Sequence, residues 1–137
     1  MSGGAMNVSW AATDVSGRFV PQELESDISD FVERFKRLRS VGSGYVEVRR
    51  PQSDFPVVTL GFRGKSAVLH VMHDPEQILI MSGDGSLPSG GSAEVPVMGD
   101  LTEFDGQFVV TVDEGWAALL EFLRSGTLPA RYDLIDP

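Results

Sequence analysis

From Leu24 to Leu38 the apolar residues Leu24, Ile28, Phe31, Phe35 and Leu38 step by 4, 3, 4 and 3. That spacing lays one stripe along an α-helix. Pro21 suits the first turn of such a helix, where a missing N–H costs little. Glu23, Glu25 and Asp27 then stand at the positive end of its dipole, and Arg34, Lys36, Arg37 and Arg39 at the negative end. Gly42 and Gly44 are stop signals, so the helix is predicted from Pro21 to between Arg39 and Val41. Beyond it the period changes to two. Val46 and Val48 face one side of a strand over Tyr45–Arg49, and Tyr45, Glu47 and Arg49 face the other.

Further strands follow from the same period. Asn7–Ala12 reads as a short first strand carrying Trp10. Val57–Arg63 and Ala67–His73 flank Arg63-Gly64-Lys65 as a hairpin, and the Asp74-Pro75 turn leads into Gln77–Met81. Ser82–Ser92 is glycine-rich and reads as a loop. Glu94–Val97 and Gln107–Val110 are predicted as short strands, with the acid-rich Gly99–Gly106 connecting them. A second helix opens at Thr111-Val-Asp-Glu114, a capping box in which the Thr111 hydroxyl takes the Glu114 N–H and the carboxylate returns to the Thr111 N–H. Trp116, Leu119, Leu120 and Leu123 form its apolar face, and Gly126 and Pro129 end it. Ala130–Ile135 closes the chain as a strand.

These elements predict one α+β domain over residues 1–137. Residues 1–6 are expected as a flexible or tag-like lead, and the core is expected to run from about residue 20 to 136. Two principal helices pack on one face of an antiparallel sheet of four to six strands. At 137 residues the chain has enough surface to bury for stability without staples, and it has no cysteine to make any. No apolar run approaches the roughly 18 residues of a membrane span, and no secretory leader is visible. The expected compartment is the cytoplasm.

Charge changes this picture most. Residues 66–123 contain no lysine or arginine in 58 positions, yet carry ten acids: Asp74, Glu76, Asp84, Glu94, Asp100, Glu103, Asp105, Asp113, Glu114 and Glu121. The other ten acids nearly cancel the 11 basic residues, so the stretch accounts for the net charge of −9. Such a surface argues against a nucleic-acid partner and for a basic protein one.

Candidate chemistry is sparse. His70 and His73, beside Asp74 and Glu76, suggest a metal site, but residues three apart on a strand face opposite ways. His70 and Asp74 share a face yet stand roughly 13 Å apart at ~3.3 Å per residue. The glycine-rich loop lacks the Gly-Lys-Ser/Thr ending of a phosphate cradle and the alternating acids of a calcium loop. There is no Gly-x-Ser-x-Gly elbow and no Ser-x-x-Lys. Trp10 and Trp116 are expected as core anchors. The sequence therefore predicts a non-enzymatic protein without cofactor or metal.

The order helix, antiparallel meander, loop, helix and short strand resembles the Imm1 family of bacterial immunity proteins. The resemblance rests on Glu23–Leu38, on Phe55-Pro56-Val57-Val58-Thr59-Leu60-Gly61, and on the stretch from Val112 to Gly126 followed by Leu128-Pro129. It spans about Glu23 to Asp136. The family's last strand often carries Trp where Tyr132 stands here, and Ile78–Met81 is aliphatic where the family's middle strand is aromatic-rich. The resemblance implies a cytosolic antidote that binds a cognate toxin domain, a nuclease or deaminase, made by the same cell and encoded by a neighbouring gene. It implies no binding residues. The acids at predicted turns, Asp74, Glu76, Asp84, Asp100, Glu103 and Asp105, are the expected partner contacts. The alternative is a small enzyme or ligand-binding domain with a pocket between sheet and helices; a subunit of a larger assembly would instead expose a wide apolar patch.

Overall fold

The computed structural model describes residues 7–88, 90–128 and 133–137. The lead over residues 1–6, Pro129 and Tyr132 lie outside the described residues. The architecture is α+β: the described residues form two helices and an antiparallel sheet of eight strands rather than four to six, with a separate two-stranded hairpin. The main sheet runs β10-β6-β5-β4-β3-β1-β2, where β1 is Asn7–Thr13, β2 Phe19–Asp27, β3 Ser43–Arg49, β4 Val57–Arg63, β5 Ser66–Asp74, β6 Gln77–Met81 and β10 Leu134–Ile135. β9 (Val110–Thr111) pairs with Ser66–Ala67 of β5, continuing the edge that β6 occupies further along.

The predicted first helix is half strand. Phe19–Asp27 pairs with β1 at the sheet edge, and α1 spans only Ile28–Val41. Pro21 falls where the register slips between Trp10–Leu24 and Ala12–Val20, so the ladder loses nothing by its missing N–H. Glu23 does not serve a helix dipole; it grips Arg49 of β3 through two hydrogen bonds of 2.8 and 2.6 Å. Asp27 is the N-cap, its carboxylate accepting the Asp30 N–H at 3.0 Å. Burial explains the outcome. β1 is a core strand, with Val8, Trp10 and Ala12 all buried, so the core reaches back well before residue 20. The β1 backbone needs partners on both sides; β3 supplies one and β2 the other.

Helix α2 (Val112–Ser125) follows the local signals closely. The Thr111 hydroxyl takes the Glu114 N–H at 3.1 Å, and Gly126 ends the helix in the left-handed conformation, φ 84°. Its buried face holds Val112, Gly115, Ala118, Leu119, Phe122 and Leu123, with Trp116 and Leu120 half-buried.

Both helices lie on one face of the sheet. Their seam is an aromatic row: Trp10, Phe31, Trp116, Phe35 and Phe62 follow one another at centroid separations of 5.6, 5.7, 3.9 and 5.1 Å. The Phe35–Trp116 pair is stacked within 5° and joins α1 to α2. Both tryptophans are thus core anchors, and the Trp10 indole N–H finds Ser26 Oγ at 2.9 Å.

The opposite face is covered as well. The expected Gly99–Gly106 connection is instead β8 (Asp100–Asp105), paired with β7 (Ser92–Val97) in a hairpin laid across β3, β4 and β5. Gln107–Val110 is not one strand but a short 3-10 turn (Gly106–Phe108) leading to β9. Val95 and Val109 seal against Val68 and Ile80 in a second, smaller core. The hairpin comes this close because Gly61 has no side chain: a Cβ there would overlap the Pro96 carbonyl.

Candidate functional site

Cross-strand register fixes what lies under the hairpin. Glu47 of β3, Thr59 of β4 and His70 of β5 are successive partners, so they form one row across the sheet face that the hairpin covers. Met72 and Ile78 make the next row, and Tyr45 stands on the other side. The hairpin tip, Val97-Met98, forms the roof. Together these residues enclose a groove of about 220 Å³.

The polar groups of the groove are arranged around one carboxylate. Glu47 Oε2 accepts the Tyr45 hydroxyl at 2.6 Å. Burial, followed by that hydrogen bond to an anion, pushes the Tyr45 phenol far above its ordinary range, so it remains a donor. Among the described residues no lysine or arginine nitrogen lies within 4 Å of Glu47. Arg49, two residues along, is committed to Glu23 and to the Ser53 carbonyl at 3.1 Å. Burial lowers the pKa of His70, which packs edge-on against Phe104 at 5.6 Å as a neutral ring. His73 lines a different cavity on the helix side, so the two histidines do face opposite ways.

Three of the six expected acids adjoin, in chain or in ladder, residues that line the groove. Asp74 and Glu76 form the β5–β6 turn just beyond the Met72–Ile78 pair, and Asp100 faces Val97 at the hairpin tip. The other three lie toward the base of the hairpin. Glu103 sits mid-strand on its outer face and accepts the Ser92 hydroxyl at 3.0 Å. Asp105 caps the 3-10 turn through the Gln107 N–H at 3.1 Å.

Asp84 departs furthest from its expected role. Its two oxygens accept the Ser86 and Thr111 N–H groups, each at 2.9 Å. The Thr111 N–H therefore goes to Asp84, not to Glu114 as the capping box predicts. Burial raises the Asp84 pKa, but the hydrogen bonds outweigh it and hold the carboxyl below its usual value. Asp74 likewise spends one oxygen on the Glu76 and Gln77 N–H groups. Nor is the acidic stretch free of bases in space: Arg63 reaches Glu94 at 3.5 Å and Arg39 reaches Asp113 at 2.6 Å.

A cavity of about 360 Å³ also opens between sheet and α2. Its wall is Pro56, Val71, His73, Phe122, Gly126, Thr127, Leu128 and Leu134. With one titratable side chain among the described residues lining it, it offers no acid–base pair. Among the described residues no helix is long and apolar enough to cross a membrane. No family model matches the chain, nor does any curated protein or solved structure.

Sequence reasoning missed the groove. It placed Tyr45 and Glu47 on one strand face and Val46 and Val48 on the other, but nothing local says which face a distant hairpin will roof. The available signal was Val97-Met-Gly-Asp100, a two-residue turn between β-rich runs.

Proposed function

We propose that this protein is a cytosolic antidote that neutralises a basic toxin domain, a nuclease or deaminase encoded by a neighbouring gene, by stoichiometric binding. It acts without catalysis and without a cofactor. The observation that carries this reading is the set of acids at the turns next to a groove whose walls include Met72, Ile78, Val97 and Met98. Asp74 and Glu76 lie in the turn that joins Met72 to Ile78, Asp100 pairs with Val97, Glu47 lines the groove, and the lining residues Ile78 and Met98 are 47% and 51% accessible. A domain that acts on nucleic acid presents a basic cleft, and acids at these turns would steer and hold it. The hydrophobic centre with a charged rim is the usual anatomy of a protein interface. The cavity beside α2, which the ligand-binding alternative needs, lacks convergent polar groups.

The test is to express the C-terminal domain encoded by the upstream neighbouring gene with and without this protein. Growth rescue together with 1:1 co-purification is the expected result. Replacing Asp74, Glu76 and Asp100 together with lysine should slow association roughly tenfold or more at low salt, the range of electrostatic steering. A harmless or non-binding neighbour overturns the antidote reading; association kinetics untouched by the triple reversal overturn the acidic surface.

A further inference from the structure

The Glu47 carboxylate is under-used where it sits. An ionised carboxylate offers about four acceptor sites, and the Tyr45 hydroxyl fills one of them. The residue is half-buried under the hairpin tip, among the described residues it has no cation in reach, and its neighbours Met72, Ile78, Val97 and Met98 are apolar. An apolar side chain pushed into this groove would strip water from Glu47 and return nothing. A long cationic side chain suits both parts: its methylene stem lies on the apolar walls and its head reaches the anion.

A second feature points to the same place. Met98 has φ 58°, the left-handed region that a side chain with a Cβ rarely adopts, while the glycine of this turn, Gly99, stands one position later. The residue able to take the conformation cheaply is not the one that has it. This strain hangs the Met98 side chain over the groove, and strain kept in a fold is concentrated at functional positions.

From these features we infer that the groove under the β7–β8 tip receives one arginine or lysine side chain of a protein partner, with its stem between Met72, Ile78 and Met98 and its head on Glu47. This rests on the reading of a basic protein partner and names the anchor point of that interface. Tyr45 acts as the positioning residue, holding one Glu47 oxygen so that the other faces the groove.

The first experiment needs no partner. The protein is titrated with N-acetyl-arginine amide, and in parallel with N-acetyl-citrulline amide, its uncharged isostere, while backbone amide NMR shifts are followed. Saturable shifts centred on Tyr45, Glu47, Ile78 and Met98 with the arginine compound alone, lost in Glu47→Gln, are the expected result. Equal shifts with citrulline, or none in the groove, overturn the inference. Glu47→Gln keeps the Tyr45 hydrogen bond, and Ile78→Ser removes a stem contact without touching charge; either should weaken a toxin complex at least about tenfold. Met98→Gly should raise thermal stability yet weaken that complex, opposite signs that a purely structural role does not give. A complex that forms and ignores all three variants overturns the groove and leaves the antidote reading standing. Arginine-specific shifts without any complex overturn the antidote reading instead and leave the groove's preference for a cation intact.

Discussion

Replacing Asp84 with alanine separates an acid that holds the fold from one that waits for a partner. The carboxylate clasps the Ser86 and Thr111 N–H groups at 2.9 Å each, tying the loop after β6 to the first residue of the α2 cap. Hydrogen bonds to a charged acceptor contribute about 1.5–3 kcal/mol each when well buried. Asp84 is largely exposed, so about 1 kcal/mol apiece is the fitting scale, and Asp84→Ala should cost about 2 kcal/mol in all. For a domain of this size that is roughly an 8 °C fall in Tm. Asp84→Asn should lose more than half as much, because its amide nitrogen must face one of the two N–H donors. Urea unfolding followed by the emission of the core tryptophans Trp10 and Trp116 measures both, with m unchanged. The pH dependence adds a second check. A carboxyl held below its usual 3.8 contributes its stability fully above that pH and loses it as pH falls through the lowered folded value. The gap between wild type and Asp84→Ala should therefore be constant from pH 5 to 7 and close below about 3.8. Alanine and asparagine variants both within about 0.5 kcal/mol of wild type would refute the clasp.

Two further predictions follow from packing and burial. Gly61→Ala should drive the Pro96 backbone away from β4, costing about 2–3 kcal/mol as an overpacked contact. Hydrogen exchange should then speed up over 92–105 while β4 and β5 remain protected, and uniform loss of protection would contradict it. His70 is held neutral by burial, so the unfolded chain binds its proton more readily, and stability should decline as pH drops below 6.5 toward the lowered folded value. Wild type should lose more Tm between pH 7 and 5 than His70→Gln; parallel curves would show that His70 does not contribute.

What the sequence determined alone is what is encoded within a few residues. Helix α2 starts at Thr111 and stops at Gly126 because a cap hydroxyl, an i,i+4 apolar face and a left-handed glycine all act over one or two turns. The β4–β5 hairpin and β6 were legible for the same reason: their turn residues and period-two patterns are adjacent in the chain. The acid bias was legible too, since it is a matter of composition. What tertiary structure decided is everything that depends on a partner distant along the chain. Phe19–Asp27 became an edge strand because β1, buried and in need of a ladder, outweighed the helical spacing of Leu24. Asp100–Asp105 became a strand because β7 was there to pair with it. The groove exists because register lines up Glu47, Thr59 and His70 from three strands and Gly61 admits the hairpin above them. Asp84 acquired its role when a loop returned to a helix end 27 residues away. Local signals act over a few residues, whereas ladder hydrogen bonds and close approaches join segments that no local pattern connects.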